Sequence, residues 1–310
     1  MVSAYLAAPG FLKELCAELG DHQAIYEDLV VADGPLRPTV WARNVWQDVQ
    51  KIHFKSIGEA TRQLRALGLR WSYHEVPNSA LNNHRRAALI SEGLVSPKFS
   101  PLRFPQDPMP LKTLGSWAMI SDDEIFASSK CSATTPDGDL TFVEDKAVPP
   151  TRAYLKLWEA FTRIGYYPEN GSHCIDLGSC PGGWSWVLAT LGCHVTSVDK
   201  APLDPEIAKM PLIHFLKTSA FGLNPKDFPR MDWVFSDVIC SPEKLLGLVL
   251  AWLKVFPDAN YVCTIKLQGE TDHEVVQEFL QIPDSRVVHL THNKHELTWI
   301  RIQKKTGSGA

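Results

Sequence analysis

The stretch from His173 to Ser185, His-Cys-Ile-Asp-Leu-Gly-Ser-Cys-Pro-Gly-Gly-Trp-Ser, limits what this chain can fold into more than any other. A short apolar run ending at Leu177 predicts a buried strand, and Trp184 to Leu191 predicts the helix after it. Between them, Gly178, Gly182 and Gly183 allow sharp backbone bends and the close approach of a ligand. The helix N-terminus beyond such a turn presents free N–H groups to an anionic or strongly polar ligand group. A second apolar run, Cys193 to Val198, ends on Asp199, about 20 residues past the first glycine. An acid at that place suits the ribose hydroxyls of a nucleoside cofactor. A strand, glycine turn and helix can also be a plain packing corner. Asp176 before the turn and Asp199 after the next strand weigh against that plainer alternative.

A nicotinamide fingerprint reads G-x-G-x-x-G, whereas this loop reads Gly178-Ser179-Cys180-Pro181-Gly182-Gly183. The fuller pattern, D-L-G-x-x-P-G-G-W from Asp176 to Trp184, resembles the S-adenosylmethionine loop of the FtsJ/RrmJ-type ribose 2'-O-methyltransferases. Within that family it is most similar to the branch acting on a cytidine ribose of large-subunit ribosomal RNA. The resemblance runs from Pro150 to Arg301, about half of the chain, and is patchy before it. It implies S-adenosylmethionine as cofactor, with RNA, ribosomal RNA foremost, as partner. The cofactor-binding residues it implies are Asp176, Gly178, Ser179, Cys180, Pro181, Gly182, Gly183, Trp184, Asp199, Ser219 and Asp237.

Length and composition set the outer bounds. A chain of 310 residues, 45% apolar and with ten Trp, is long and greasy enough for one large domain or two ordinary ones. No apolar run approaches the ~20 residues that span a bilayer, and Met1 to Phe11 lacks a basic leader. No membrane is therefore expected, and the location is read as cytoplasmic. Seven Cys, an odd number with no C-x-x-C pair, point to reduced thiols rather than a disulfide framework or zinc knuckle. Cys180 reads as a small buried thiol, not a nucleophile. The order His292-Asn-Lys-His295-Glu296 matches no zinc-hydrolase helix, and the residues after it alternate as a strand, so no metal is expected.

The net charge of −4 hides an uneven distribution. From Lys51 to Arg103 there are nine Lys or Arg against three Glu and no Asp, so this segment carries +6. A local basic surface is what phosphate binding requires, whatever the total. Arg85, Arg86, Lys98 and Arg103 are the expected RNA contacts, a solvated helix face being the plainer alternative.

Read in order, residues 1–77 alternate as β-α-β-β-α-β, which predicts a small α+β, ferredoxin-like domain. Residues 78–149 read as a connector: a helix from Ser79 to Gly93, a proline-rich extended stretch, a hairpin from Trp117 to Ser128 and a short strand from Leu140 to Val143. Residues 150–303 alternate strand and helix and predict an α/β, Rossmann-like domain of the methyltransferase kind. Its sheet should be doubly wound and mostly parallel, with an antiparallel last pair, because the final two strands have no helix between them. Residues 304–310 read as a loose tail.

In the family it resembles, a Lys-Asp-Lys-Glu tetrad surrounds the reacting ribose hydroxyl. The matching residues are Lys156 in Tyr-Leu-Lys-Leu-Trp, Asp237 in Phe-Ser-Asp, Lys266 in Thr-Ile-Lys-Leu and Glu296 in His-Glu-Leu-Thr. By pattern alone Lys156 lies off the apolar stripe of its helix and reads as solvated. Asp237 and Lys266 fall at the C-terminal ends of expected parallel strands, where open α/β sheets place their ligands. In this reading Lys266 is the base, Lys156 its cationic neighbour, and Asp237 and Glu296 orient them and the ribose. A buried ion network without chemistry is the structural alternative. One departure stands out: the stretch after the third strand, Leu216 to Phe221, offers Thr218 and Ser219 but no acid for an adenine amine.

Three functions from different classes follow. The first is an S-adenosylmethionine-dependent RNA ribose 2'-O-methyltransferase. The second is a non-catalytic RNA-binding or assembly protein on the same fold. The third is a nicotinamide oxidoreductase, which the Pro181-Gly182 loop disfavours.

Overall fold

The computed structural model describes residues 1–76, 83–110, 112–267, 269 and 271–303. The chain divides into two compact units, one of residues 1–102 and 107–141, the other of residues 103–106 and the chain from Phe142 onward. The 304–310 tail and the start of the helix expected at Ser79 lie outside the described residues.

The first unit holds β1 (Val2–Ala7), α1 (Leu12–Leu19), β2 (Ala24–Tyr26), β3 (Leu29–Asp33), β4 (Ala42–Gln47), β5 (Gln50–His53), α2 (Ile57–Leu67), β6 (Trp71–Tyr73), α3 (Asn83–Glu92), β7 (Gly115–Ser121), β8 (Glu124–Ser128) and β9 (Lys130–Cys131). Two sheets form, ordered β2-β3-β1-β4-β9 and β5-β8-β7-β6. Helix α2 opens on a reciprocal cap. Ser56 accepts from Glu59 N, and the Glu59 carboxylate takes the Lys55 N–H in return. Its apolar stripe, Ala60 and Leu64, packs against Trp71, Trp117 and Ile125.

The ferredoxin-like expectation fails on strand pairing. In that topology the fourth strand lies beside the first, but here β6 pairs with β7 in a separate sheet. Between β2 and β3 the chain turns at Glu27, which has φ +55, into a hairpin that returns beside β1. The hairpin expected from Trp117 to Ser128 is present, but it completes the sheet that holds β5 and β6 rather than bridging domains. Leu140 to Val143 forms no strand beyond a single bridge residue at Phe142. The pairings of β5 with β8 and β6 with β7 join distant segments, which local periodicity does not encode.

The second unit follows the alternation closely: α4 (Tyr154–Ile164), β10 (His173–Leu177), α5 (Gly183–Thr190), β11 (His194–Asp199), α6 (Pro205–Ala208), β12 (Ile213–Lys217), β13 (Trp233–Ser236), α7 (Pro242–Val255), β14 (Asn260–Lys266), α8 (His273–Gln281), β15 (Ser285–Val288) and β16 (Glu296–Arg301). The seven-stranded sheet runs β12-β11-β10-β13-β14-β16-β15. Its first five strands are parallel, and β16 is antiparallel to both β14 and β15. This is the α/β sheet with an antiparallel end that the sequence predicts. Short parallel strands buried on both faces explain the continuous apolar runs, such as Cys174-Ile175 and Trp233-Val234-Phe235.

Helix α4 is buried on every side from Tyr154 to Thr162. Trp158 and Phe161 carry Phe104 stacked on them, at ring centroid distances of 5.4 and 6.0 Å. Tyr154 and Trp158 meet Trp186 of α5 on the other side. Polar residues on such a helix have no route to bulk water, which is what brings Lys156 into the site.

Candidate active site

Three strand ends set the geometry. The register of β10 on β13 places Leu177 opposite Ser236, so Gly178 and Asp237 leave the sheet side by side. Lys266, the last residue of β14, is the direct cross-strand partner of Glu296, the first of β16. Lys156 reaches them from α4. Its ammonium donates to Asp237 Oδ1 and Oδ2 at 2.9 and 3.1 Å and to Glu296 Oε1 at 3.0 Å. The Lys266 ammonium donates to the Asp237 main-chain carbonyl at 2.7 Å and lies 3.2 Å from its Oδ1. The structure therefore brings all four predicted residues together, with two ammonium and two carboxylate groups.

The expectation that Lys156 is solvated is corrected: it is 7% exposed. Burial acts to lower its pKa, but the Asp237 and Glu296 carboxylates outweigh that and hold it above the usual lysine value. Lys156 thus stays charged, a fixed cation rather than a proton acceptor. Beneath it lies the ring of Trp184, 6.0 Å from the ammonium.

A cavity of about 310 Å³ opens beside the tetrad and shares Asp237 and Lys266 with it. Of the predicted cofactor residues, Gly178, Cys180, Asp199, Ser219 and Asp237 line it. Asp176, Ser179, Pro181, Gly182, Gly183 and Trp184 are not among its lining residues. Asp176 is wholly buried, accepting from Ser185 Oγ at 2.7 Å, and Ser185 in turn meets Ser197 Oγ at 2.6 Å. It ties β10 to α5 and β11. Burial pushes its carboxyl up to about 7, with the Asp237 and Asp199 charges adding to the rise. Trp184 donates its indole N–H to Ala153 O at 2.9 Å and is buried.

Two of the glycines are required by the fold itself, and Gly178 also lines the cavity. At Gly178, φ +84, an added Cβ would stand 2.5 Å from Val238 Cα; at Gly182, φ +117, it would stand 2.7 Å from the Ile207 side chain. Both are demanded by backbone conformation and by the protein's own packing. Asp199 accepts Cys180 N at 3.0 Å and Ala201 N at 2.9 Å, so it shapes the loop as well as facing the cavity.

The lining also includes Lys200, Phe221, Val238 and Ile239, which sequence reasoning missed, together with Val198, Thr218 and Ala220. Phe221 is 46% and Ile239 79% exposed, large apolar groups facing solvent at the cavity rim. Their signal was available: each follows a strand end by a few residues, where apolar side chains have no sheet to bury against. Among the described residues no group of three or more metal-ligating side chains forms a cluster. His292 meets Glu159, and His295 Nε2 lies 3.3 Å from Thr271 Oγ1.

Of the expected RNA contacts, Arg85 and Lys98 are exposed in the first unit, and Arg103 belongs to the second. Arg86 is partly buried, its guanidinium 5.4 Å from the Phe54 ring centre. Elsewhere in the basic stretch, Lys51 pairs with Glu124 at 3.0 Å and Arg65 Nε donates to Gly93 O at 2.9 Å. Part of the +6 is thus committed to structure. No helix of the described residues is long and apolar enough to cross a membrane.

Comparison with known proteins bears on residues 150–293, which match the FtsJ-like methyltransferase family. The matched residues all lie in the second unit. Similar proteins include several named ribosomal RNA large subunit methyltransferase M. That of Halorhodospira halophila is 33% identical over 48% of this chain and 46% of its own length. That of Xylella fastidiosa is 32% identical over 58% of this chain and 55% of its own. One from Xanthomonas oryzae pv. oryzae is 26% identical over 71% of this chain, so that likeness extends into the first unit. The chain spans about half the length of the first of these relatives.

Proposed function

We propose that this chain transfers a methyl group from S-adenosylmethionine to a ribose 2'-hydroxyl of RNA, with large-subunit ribosomal RNA the candidate substrate. The observation that carries this reading is that the Lys156-Asp237-Lys266-Glu296 tetrad and the cavity lined by Asp199 share two residues, Asp237 and Lys266.

The residues present suit the cofactor. Asp199 offers carboxylate lone pairs to ribose hydroxyls, Phe221 and Ile239 offer apolar faces to an adenine, and Ser219 offers a hydroxyl where the acid is missing. Ser179 Oγ and Asp176 Oδ1 are buried without a hydrogen-bond partner. When bound, S-adenosylmethionine supplies an electrophilic methyl group. The protein's own residues do the rest. Lys156, held charged, fixes the two carboxylates. Asp237 positions the Lys266 ammonium through both its carbonyl and its carboxylate. Lys266, 20% exposed and without a second carboxylate on it among the described residues, is the lysine left to give up its own proton to solvent and then, as the neutral amine, accept the hydroxyl proton. Positioning dominates such a displacement.

Incubating the chain with labelled S-adenosylmethionine and total RNA, followed by nucleoside mapping, tests the proposal. Label in a 2'-O-methylated nucleoside is expected; label on a base, or cofactor binding without transfer to RNA, overturns it.

A further inference from the structure

Glu159 is a fully buried carboxylate one turn along α4 from Lys156, outside the tetrad and the cavity. It accepts the main-chain N–H groups of Thr291 and His292 at 2.9 and 3.1 Å, the His292 ring at Nδ1 at 2.7 Å and Arg163 Nε at 2.8 Å. Burial acts to raise its pKa, but His292 and Arg163 more than offset this and keep it below the usual glutamate value.

The segment it grips leads into the site. Thr291 and His292 lie in the connection from β15 to β16, and β16 begins with Glu296. Between them, Asn293 Nδ2 donates to the Glu296 main-chain carbonyl at 3.1 Å and to Thr298 Oγ1 at 3.1 Å. From there the Glu296 carboxylate returns to α4 through Lys156 Nζ. A closed circuit therefore runs from α4 through Glu159, His292, Asn293 and Glu296 back to Lys156. A buried charge is a costly way to hold two elements together, since apolar side chains of similar volume do so at least as well. What the three directed bonds to Thr291 and His292 add over apolar packing is a fixed distance and orientation.

We propose that Glu159 is a positioning residue of the active site, fixing the segment that carries Glu296 to the helix that carries Lys156. This rests on the methyl-transfer reading. It also accounts for His292, which serves as a clamp on Glu159.

The test is a double-mutant cycle on single-turnover methyl transfer to RNA, with Glu159→Gln, Glu296→Gln and both together in the full chain. Glu159→Gln keeps the shape but removes the charge and one acceptor. It should slow transfer roughly 10–100-fold through misplacement of the tetrad, with S-adenosylmethionine affinity by calorimetry unchanged. In the Glu296→Gln background the same change should cost little more, because its effect passes through Glu296. Losses that multiply, or a Glu159→Gln enzyme at the wild-type rate, overturn the positioning role. Should Glu159→Gln not fold, His292→Gln removes one of the three bonds, and its smaller loss should likewise vanish in the Glu296→Gln background. A wild-type chain that binds the cofactor but transfers nothing to RNA removes the catalytic reading and this role with it. Multiplying losses in an active wild type remove only the role.

Discussion

The main-chain N–H of Cys180 donates to Asp199 Oδ2 across 3.0 Å, so the acid at the end of β11 helps to hold the glycine loop in shape. Asp199→Ala removes a cofactor contact and this strut together, whereas Asp199→Asn keeps one acceptor for the strut. The alanine variant is expected to bind S-adenosylmethionine at least about tenfold more weakly, a loss of about 1.4 kcal/mol or more, and the asparagine variant to fall between it and wild type. Calorimetry with a melting curve checks this. An unchanged affinity in a folded Asp199→Ala protein places the ribose elsewhere.

Removing either lysine should stop methyl transfer, but with different structural cost. Lys156→Ala leaves the Asp237 and Glu296 carboxylates facing each other without their shared cation, at a cost of about 3–5 kcal/mol. Lys266 is more exposed and has a main-chain acceptor that water can replace, so Lys266→Ala should lose about 1 kcal/mol or less. Urea unfolding alongside single-turnover rates separates the two. Near-normal transfer by Lys266→Ala would leave the tetrad a structural ion network.

Two glycines of the methyltransferase unit should respond to alanine with opposite sign. Gly178→Ala meets Val238 Cα at 2.5 Å in a left-handed backbone conformation, so it should destabilise the unit and lower cofactor affinity. Gly247 lies inside α7 with nothing within 4 Å of an added Cβ. Gly247→Ala should stabilise by about 0.5–1 kcal/mol through helix propensity and a less flexible unfolded chain. Thermal melts decide both.

The first unit should lose stability on the alkaline side. His74 is buried, with Nε2 2.9 Å from Asp28 Oδ1 and Nδ1 3.2 Å from Asp137 Oδ2. Burial acts to lower its pKa, but the two carboxylates raise it to about 9. A folded value above the unfolded one, ~6.5, means the stabilisation is complete below that pH and is lost as pH rises through about 9. The contribution is on the order of 3 kcal/mol. His74→Gln should therefore flatten stability against pH between 6.5 and about 9. A wild-type profile already flat there would contradict the charged imidazole.

Arg85 and Arg86, adjacent in sequence, should separate in an RNA-binding assay. Arg85→Glu is expected to weaken RNA binding and flatten its salt dependence, because fewer counterions are released. Arg86→Glu should chiefly destabilise the first unit, since its guanidinium packs on Phe54. Identical salt slopes for wild type and Arg85→Glu would leave Arg85 an ordinary surface charge.

The methyltransferase unit was legible because its information is local. Most of its strands are short apolar runs, most of its turns carry glycine or proline, and Asp237, Lys266 and Glu296 lie at or just past strand ends whose meeting follows from sheet order. Lys156 was legible only through family resemblance, since helical periodicity treats a residue off the apolar stripe as solvated and cannot see that α4 is covered all round. The first unit was misread where pairing is long-range: β6 finds β7 more than 40 residues away, and β5 finds β8 more than 70 away. Nothing in the composition of those short strands names their partners. The Glu159 clamp was invisible for the same reason, its donors lying 132 and 133 residues downstream.

Trp184 gives the site a built-in optical reporter. Its indole is buried, its N–H is fixed on Ala153 O, and its face lies 6.0 Å from the Lys156 ammonium. An indole excited state redistributes charge across the ring, so a nearby fixed cation shifts its emission wavelength. Any event that moves Lys156 relative to Asp237 and Glu296 therefore changes the colour of this one fluorophore. The difference between wild-type and Trp184→Phe emission spectra would follow filling of the pocket and rearrangement of the ion cluster in real time, with no label attached.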